Sequence, residues 1–157
     1  MQVEVTCAKR GTFAVPLELT TGQRDAIVAH AQSEAPLECC GLIGGTDGRA
    51  RKVYPTRNVD RSRVHYTIHP EDMLHAIREI EFENDWETLA IYHSHPASDA
   101  YPSPTDIRIA VESGYNEVTR FVIVSLAQPE LPVVRAFWLK GGKVEREPIE
   151  VVDDASA

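Results

Sequence analysis

The sequence predicts a single α/β domain in which helices sandwich one sheet, and three observations carry that reading. Its 157 residues suit one domain of ordinary size, able to bury roughly two-thirds of the surface of the unfolded chain. Hydrophobic residues make up 43% and charged residues 25%, a globular composition rather than a disordered or fibrous one. Segments of helical period alternate with short β-like runs, and no repeat, low-complexity tract or Ser/Gly linker opens a second domain. Residues 1–157 are therefore read as one domain with a core spanning about 17–152.

The elements follow in order. Thr20 with Gln23 three residues on forms a capping box, and RDAIVAHAQSEA continues as a helix until Pro36 closes it, with Ile27, His30 and Ala31 on one face. CCGLIGG reads as a short buried strand ending in glycines, with Glu38 at its entrance, and RKVYPTRNV and VHYTI read as further strands. Over 70–83, Pro70 and two acids open a second amphipathic helix that places Met73, Ile77 and Ile80 at helical spacing. Leu89 to His93 is strand-like, SPTDIRIAVESG is helical, and TRFVIVSL, VVRAFWLK and KVEREPIEVV supply three late strands.

Charge and cysteine content narrow the function classes. Sixteen basic residues against 24 acidic ones give a formal charge of −8, which repels phosphate backbones and anionic lipid, so neither nucleic acid nor membrane is expected as a partner. The N-terminus lacks a basic segment followed by an apolar run, which leaves a cytoplasmic location as the expectation. Cys7, Cys39 and Cys40 form no CxxC pair, so they are expected to be plain thiols rather than a disulfide framework or a cysteine zinc site.

The chemistry concentrates in HSHPASDAYPSPTD, residues 93–106. In a strand, side chains at i and i+2 share a face with Cα atoms roughly 6.5 Å apart, so His93 and His95 can converge on one ion while Ser94 points away. A catalytic zinc site has three protein ligands as a rule, and Asp106 is the nearest carboxylate with a reason to be fixed, in the first turn of the following helix. Ser103-Pro104-Thr105-Asp106 is also a good helix start, with a serine N-cap, proline at N1 and an acid at N3. Both readings can hold for Ser103 and Asp106. His30, His65, His69 and His75 have no such constellation and are read as ordinary structural or surface residues.

His93-Ser94-His95, seven residues, Ser103, two residues and Asp106 match the HxHx7SxxD signature of the JAMM or MPN+ metalloproteases, and Glu38 before CCGLIGG stands where that family places a glutamate. The chain thus resembles this family from its first helix to about Val124. The resemblance implies an α/β/α sandwich with a central mixed β-sheet of the JAB/MPN, cytidine-deaminase-like kind. It implies Zn2+ held by His93, His95 and Asp106, Glu38 as general base and Ser103 as a donor to the developing oxyanion. It further implies a substrate that is a ubiquitin-like or sulfur-carrier protein ending in Gly-Gly. The AYPSPTD context is most similar to the prokaryotic branch that releases cysteine from a sulfur carrier. A deubiquitinase-like isopeptidase, a peptidase of small peptides and an MPN scaffold without catalysis are the competing readings, and a homodimer is left open.

Overall fold

A computed structural model describes residues 15–156, so Cys7 lies outside the described residues. The elements are β1 (Leu17–Thr20), α1 (Thr21–Glu34), β2 (Cys40–Thr46), β3 (Arg49–Thr56), α2 (Pro70–Ile77), β4 (Glu87–His95), α3 (Pro104–Ser113), β5 (Arg120–Ser125), β6 (Val133–Trp138), β7 (Glu145–Glu147) and β8 (Ile149–Val152). The strands form one mixed sheet in the order β7-β6-β5-β4-β2-β3-β1-β8. β4 and β5 run parallel, as do β1 with β3 and β1 with β8, while the remaining pairs are antiparallel.

Strand periodicity separates two faces. Ile43, Ala90, Tyr92, Val122 and Val124 pack on one face with Ile27, Val28 and Ala31 of α1. Ile91, Phe121, Ile123 and Phe137 face the other side, where Ala110 of α3 closes one part of the core. Leu42 and Tyr54 on that side meet Ala76 and Ile80 of the α2 segment. With helices on both faces, the predicted α/β/α sandwich and its mixed sheet are present. No helix among the described residues is long and apolar enough to cross a membrane.

Both Thr20 and Ser103 cap their helices through complete capping boxes. The second predicted helix is regular to Ile77 and then widens into a π-helical turn over Arg78–Glu83, carrying Ile80 against the sheet. There a Cβ on Gly44 would stand 2.6 Å from Ile80 Cγ1, so β2 needs glycine at this close approach.

Four strand expectations change. β1 is an additional strand, too short to show a period. β3 ends at Thr56 rather than at Val59. VHYTI forms a single bridge, Asn58 to Ile68, because the Asn58 side chain supplies the local hydrogen bonds: its Oδ1 accepts from the Asp60 and Thr67 amides, at 3.0 Å each. KVEREPIEVV divides at Pro148, which has no N–H to continue a ladder, into β7 beside β6 and β8 beside β1.

Candidate metal centre

β4 delivers two histidines to one place. Ile91, His93 and His95 alternate onto the face opposite α1, and Cys40 of β2 stands opposite His93 in the ladder. Ser94 points to the other side, where its Oγ accepts the Cys39 amide at 2.8 Å, as its place in the alternation predicts. After β4 the chain turns through residues 96–102 and enters α3 at Ser103. The Asp106 amide donates to Ser103 Oγ at 3.0 Å, and the Ser103 amide donates to Asp106 Oδ2 at 2.9 Å. The helix cap is thus the device that aims the Asp106 carboxylate.

His93, His95 and Asp106 offer one ligand atom each at a common point. His93 Nε2 and His95 Nε2 lie 3.2 Å apart, and Asp106 Oδ2 lies 3.2 Å from the first and 3.0 Å from the second. A tetrahedral ion with ligands at about 2.0–2.1 Å requires ligand separations of about 3.3 Å, so the triangle is close to the size zinc needs. Proton placement points the same way. His95 Nδ1 lies 2.7 Å from the Asp99 carbonyl, which only accepts, so Nδ1 carries the hydrogen and Nε2 of the neutral ring turns a lone pair toward Asp106. Two lone pairs at 3.0 Å repel unless a cation lies between them or the ring is protonated. With protein atoms alone, burial would lower the His95 pKa, but the hydrogen bonds to Asp106 and the Asp99 carbonyl outweigh it and the pKa is raised. Burial lowers that of His93, and against burial the two imidazoles hold the Asp106 carboxyl well below its usual range. A group of two imidazoles and one carboxylate in a buried pocket fits a divalent first-row cation.

Glu38 is buried on the same side, since it precedes Cys40 and Leu42 at a spacing of two. Its amide donates to the Ser62 carbonyl at 2.8 Å and its carbonyl accepts from Asn58 Nδ2 at 3.1 Å, so the 57–67 loop holds its backbone in place. Its Oε1 has no hydrogen-bond partner among the described residues, and neither has His93 Nδ1. Burial pushes the Glu38 carboxyl up to about 8, with His95 opposing and Asp106 adding to the rise. Burial likewise pushes the Cys39 and Cys40 thiols to about 12 and 11, so both remain neutral thiols, as expected of them. Tyr66 stacks on His93 at 4.6 Å between ring centroids and walls one side of the site. It is a site neighbour that the strand reading of VHYTI concealed. The remaining histidines have other partners or positions: His30 bonds Tyr92, His65 bonds Asp60, His69 caps α2, and none joins the cluster.

A profile of prokaryotic homologs of the JAB domain matches residues 20–140. The chain belongs to the prokaryotic JAB-domain family. Within reach of that family, the chain is 34% identical over 147 residues to the CysO-cysteine peptidase of Mycobacterium bovis, covering 92% of this chain and 97% of the relative. It is 39% identical over 107 residues to the desampylase of Haloferax volcanii, covering 63% and 76%. The solution structure of a Desulfitobacterium hafniense protein superposes with a TM-score of 0.78 at 36% identity, covering 88% of this chain and 94% of that one. The family match spans all five residues singled out in the sequence, from Glu38 to Asp106.

Proposed function

We propose that this JAB-domain protein is a zinc-dependent peptidase or isopeptidase that hydrolyses the amide bond after a C-terminal Gly-Gly of a ubiquitin-like or sulfur-carrier protein, release of cysteine being one such cleavage. The observation that carries the reading is the triangle of His93, His95 and Asp106 ligand atoms with a buried, unpartnered Glu38 carboxylate on the same face. The names of the relatives, a CysO-cysteine peptidase and a desampylase, support a peptidase acting on small carrier proteins. Cytoplasmic action agrees with the free Cys39 and Cys40.

His93, His95 and Asp106 would hold Zn2+, which would supply Lewis acidity and lower the pKa of water toward neutrality. With that cation held, the Glu38 carboxylate would be favoured in its ionised form over the protonated form that burial favours. Glu38 then takes a proton from the attacking water and returns it to the departing amine. Ser103 accepts the Asp106 amide through its oxygen and keeps its own hydroxyl hydrogen, which it donates to the developing oxyanion. A narrow groove that binds an extended tail by backbone hydrogen bonds passes glycine and rejects larger side chains.

The test begins with metal content. About one zinc per chain in wild type, lost in folded His95→Ala and Asp106→Ala, is expected. Glu38→Gln keeps the metal and lowers kcat/KM for a carrier fusion by roughly 10²- to 10⁴-fold. A carrier with its penultimate glycine replaced by a bulky residue resists cleavage. A folded wild type that takes up no zinc would instead favour a scaffold role, and equal turnover of both carriers would remove the Gly-Gly requirement.

A further inference from the structure

A groove of about 480 Å³ opens at the carboxyl ends of the parallel strands β4 and β5, lined by the chain neighbours of His95 and Glu38 rather than by those side chains themselves. Pro96 and Ala97, directly after the ligand His95, form one wall, and Leu126 and Pro129, beyond β5, form the next. Pro36, two residues before Glu38, closes the third side. Ala35 and Gln32, at the end of α1, complete the lining, which is apolar apart from the Gln32 amide and Arg63. Among the described residues that line the groove, Arg63 alone carries a charge.

Arg63 is exposed and forms no salt bridge with a described residue, whereas Arg57 in the same loop is held by Asp72 and Glu71. Its neighbour Ser62 accepts the Glu38 amide at 2.8 Å, which brings the Arg63 Cα within roughly 8 Å of the Glu38 backbone. Arg63 thus lines the groove from the loop that holds the Glu38 backbone. A largely apolar cleft with one guanidinium in its wall is complementary to a small apolar or thiol-bearing group that carries a carboxylate.

The geometry points to Arg63 as the specificity residue for the leaving group: it binds the free α-carboxylate of an amino acid joined through its α-amine to the carrier's terminal glycine. This deepens the peptidase reading above and rests on it. In that substrate the carboxylate carbon lies two bonds from the scissile nitrogen, about 2.5 Å away, so a fork of donors on the carboxylate also fixes the nitrogen. In hydrolysis the water oxygen joins the glycine carbonyl carbon and the C–N bond breaks. The amine takes the proton that Glu38 carries, and the carrier ends in a glycine carboxylate while the free amino acid departs. A lysine isopeptide presents a methylene chain at that nitrogen and gives Arg63 no anion.

Three matched substrates test this: one carrier ended by cysteine with a free carboxylate, by cysteinamide, and by a peptide lysine joined through Nζ. Wild type is expected to prefer the free acid over the amide on the order of 10- to 100-fold in kcat/KM, mostly through KM. Arg63→Gln slows the free acid alone and leaves the amide and the lysine conjugate unchanged, with metal content and Tm unaltered, while Arg63→Lys recovers part of the preference. Equal cleavage of acid and amide by wild type, or equal slowing of all substrates by Arg63→Gln, would overturn the assignment of Arg63 and leave the peptidase reading standing. Cleavage of none of the three by zinc-loaded wild type would overturn both.

Discussion

Ser103 shows how one side chain serves a helix and a site together. Its oxygen caps α3 and its backbone amide holds Asp106 Oδ2, while its hydroxyl hydrogen is left to donate. Ser103→Ala therefore removes the cap and the donor but keeps the amide that aims Asp106, and zinc content is expected to stay near one per chain. Loss of a cap costs about 1 kcal/mol, a fall in Tm of about 2–4 °C for a chain of this size. Loss of an oxyanion donor costs roughly 10²- to 10³-fold in kcat. Thr20→Ala supplies the matched control: the same capping box on α1, away from the cluster, gives the same fall in Tm with kcat unchanged. A Ser103→Ala enzyme with wild-type kcat would reduce Ser103 to a cap. Four of the five site residues are legible in the sequence because two obey strand alternation and two obey helix-cap chemistry, both local rules, whereas Glu38 is assigned through the family resemblance. Tyr66 and the Asp99 carbonyl are not, since stacking on His93 and bonding to His95 Nδ1 depend on how distant segments pack.

At the scale of elements, the 57–69 loop is the piece that local rules misread. VHYTI alternates like a strand, yet one Asn58 side chain satisfies the amides that a ladder would otherwise use, and its Nδ2 reaches the Glu38 carbonyl. The loop is fastened to α2 at its base. The Arg57 guanidinium donates to Asp72 Oδ1 at 2.8 Å and to Oδ2 at 3.0 Å, and the Arg57 amide adds a third bond to Oδ2. Hydrogen bonding to the Arg57 side chain brings the Asp72 carboxyl down from 3.8 to about 2. A carboxyl depressed in the folded state contributes stability that is fully present above its unfolded pKa and is lost as pH falls through the folded one. The attachment is accordingly expected to hold at pH 4 and above and to release near pH 2. In an NMR titration the Asp72 carboxyl carbon of wild type has its midpoint near 2, and Arg57→Gln moves that midpoint up toward the ordinary carboxylate value. An unchanged midpoint would mean that the backbone amide, not the guanidinium, sets the Asp72 pKa.

The strand order of the whole molecule carries a constraint that no local pattern reveals. β7 and β8 stand at opposite ends of the eight-stranded order, yet Pro148 alone separates them in sequence. Neighbouring Cα atoms are 3.8 Å apart, so the ends of the sheet lie within about 8 Å of each other at this point and the sheet curls on itself. Glu147 sits at that junction and is buried. Its carboxylate pairs with the Arg120 guanidinium of β5 and accepts from Trp138 Nε1 of β6 at 3.1 Å and from the Leu17 amide of β1 at 3.3 Å. Arg120 in turn donates to the Val15 carbonyl at 2.7 Å. One buried ion pair thus ties the β7 edge and β1, the neighbour of β8, to the middle of the sheet. Removing one partner strands the other charge away from water, at a cost of about 3–5 kcal/mol. Glu147→Leu is expected to lower Tm by about 10 °C in calorimetry without reducing metal content in the protein that remains folded. Arg120→Met combined with Glu147→Leu restores only part of this loss, because the Trp138 and Leu17 donors stay unsatisfied whether or not the charge on Arg120 is removed. A Glu147→Leu protein as stable as wild type would show that the sheet closes through its apolar core alone.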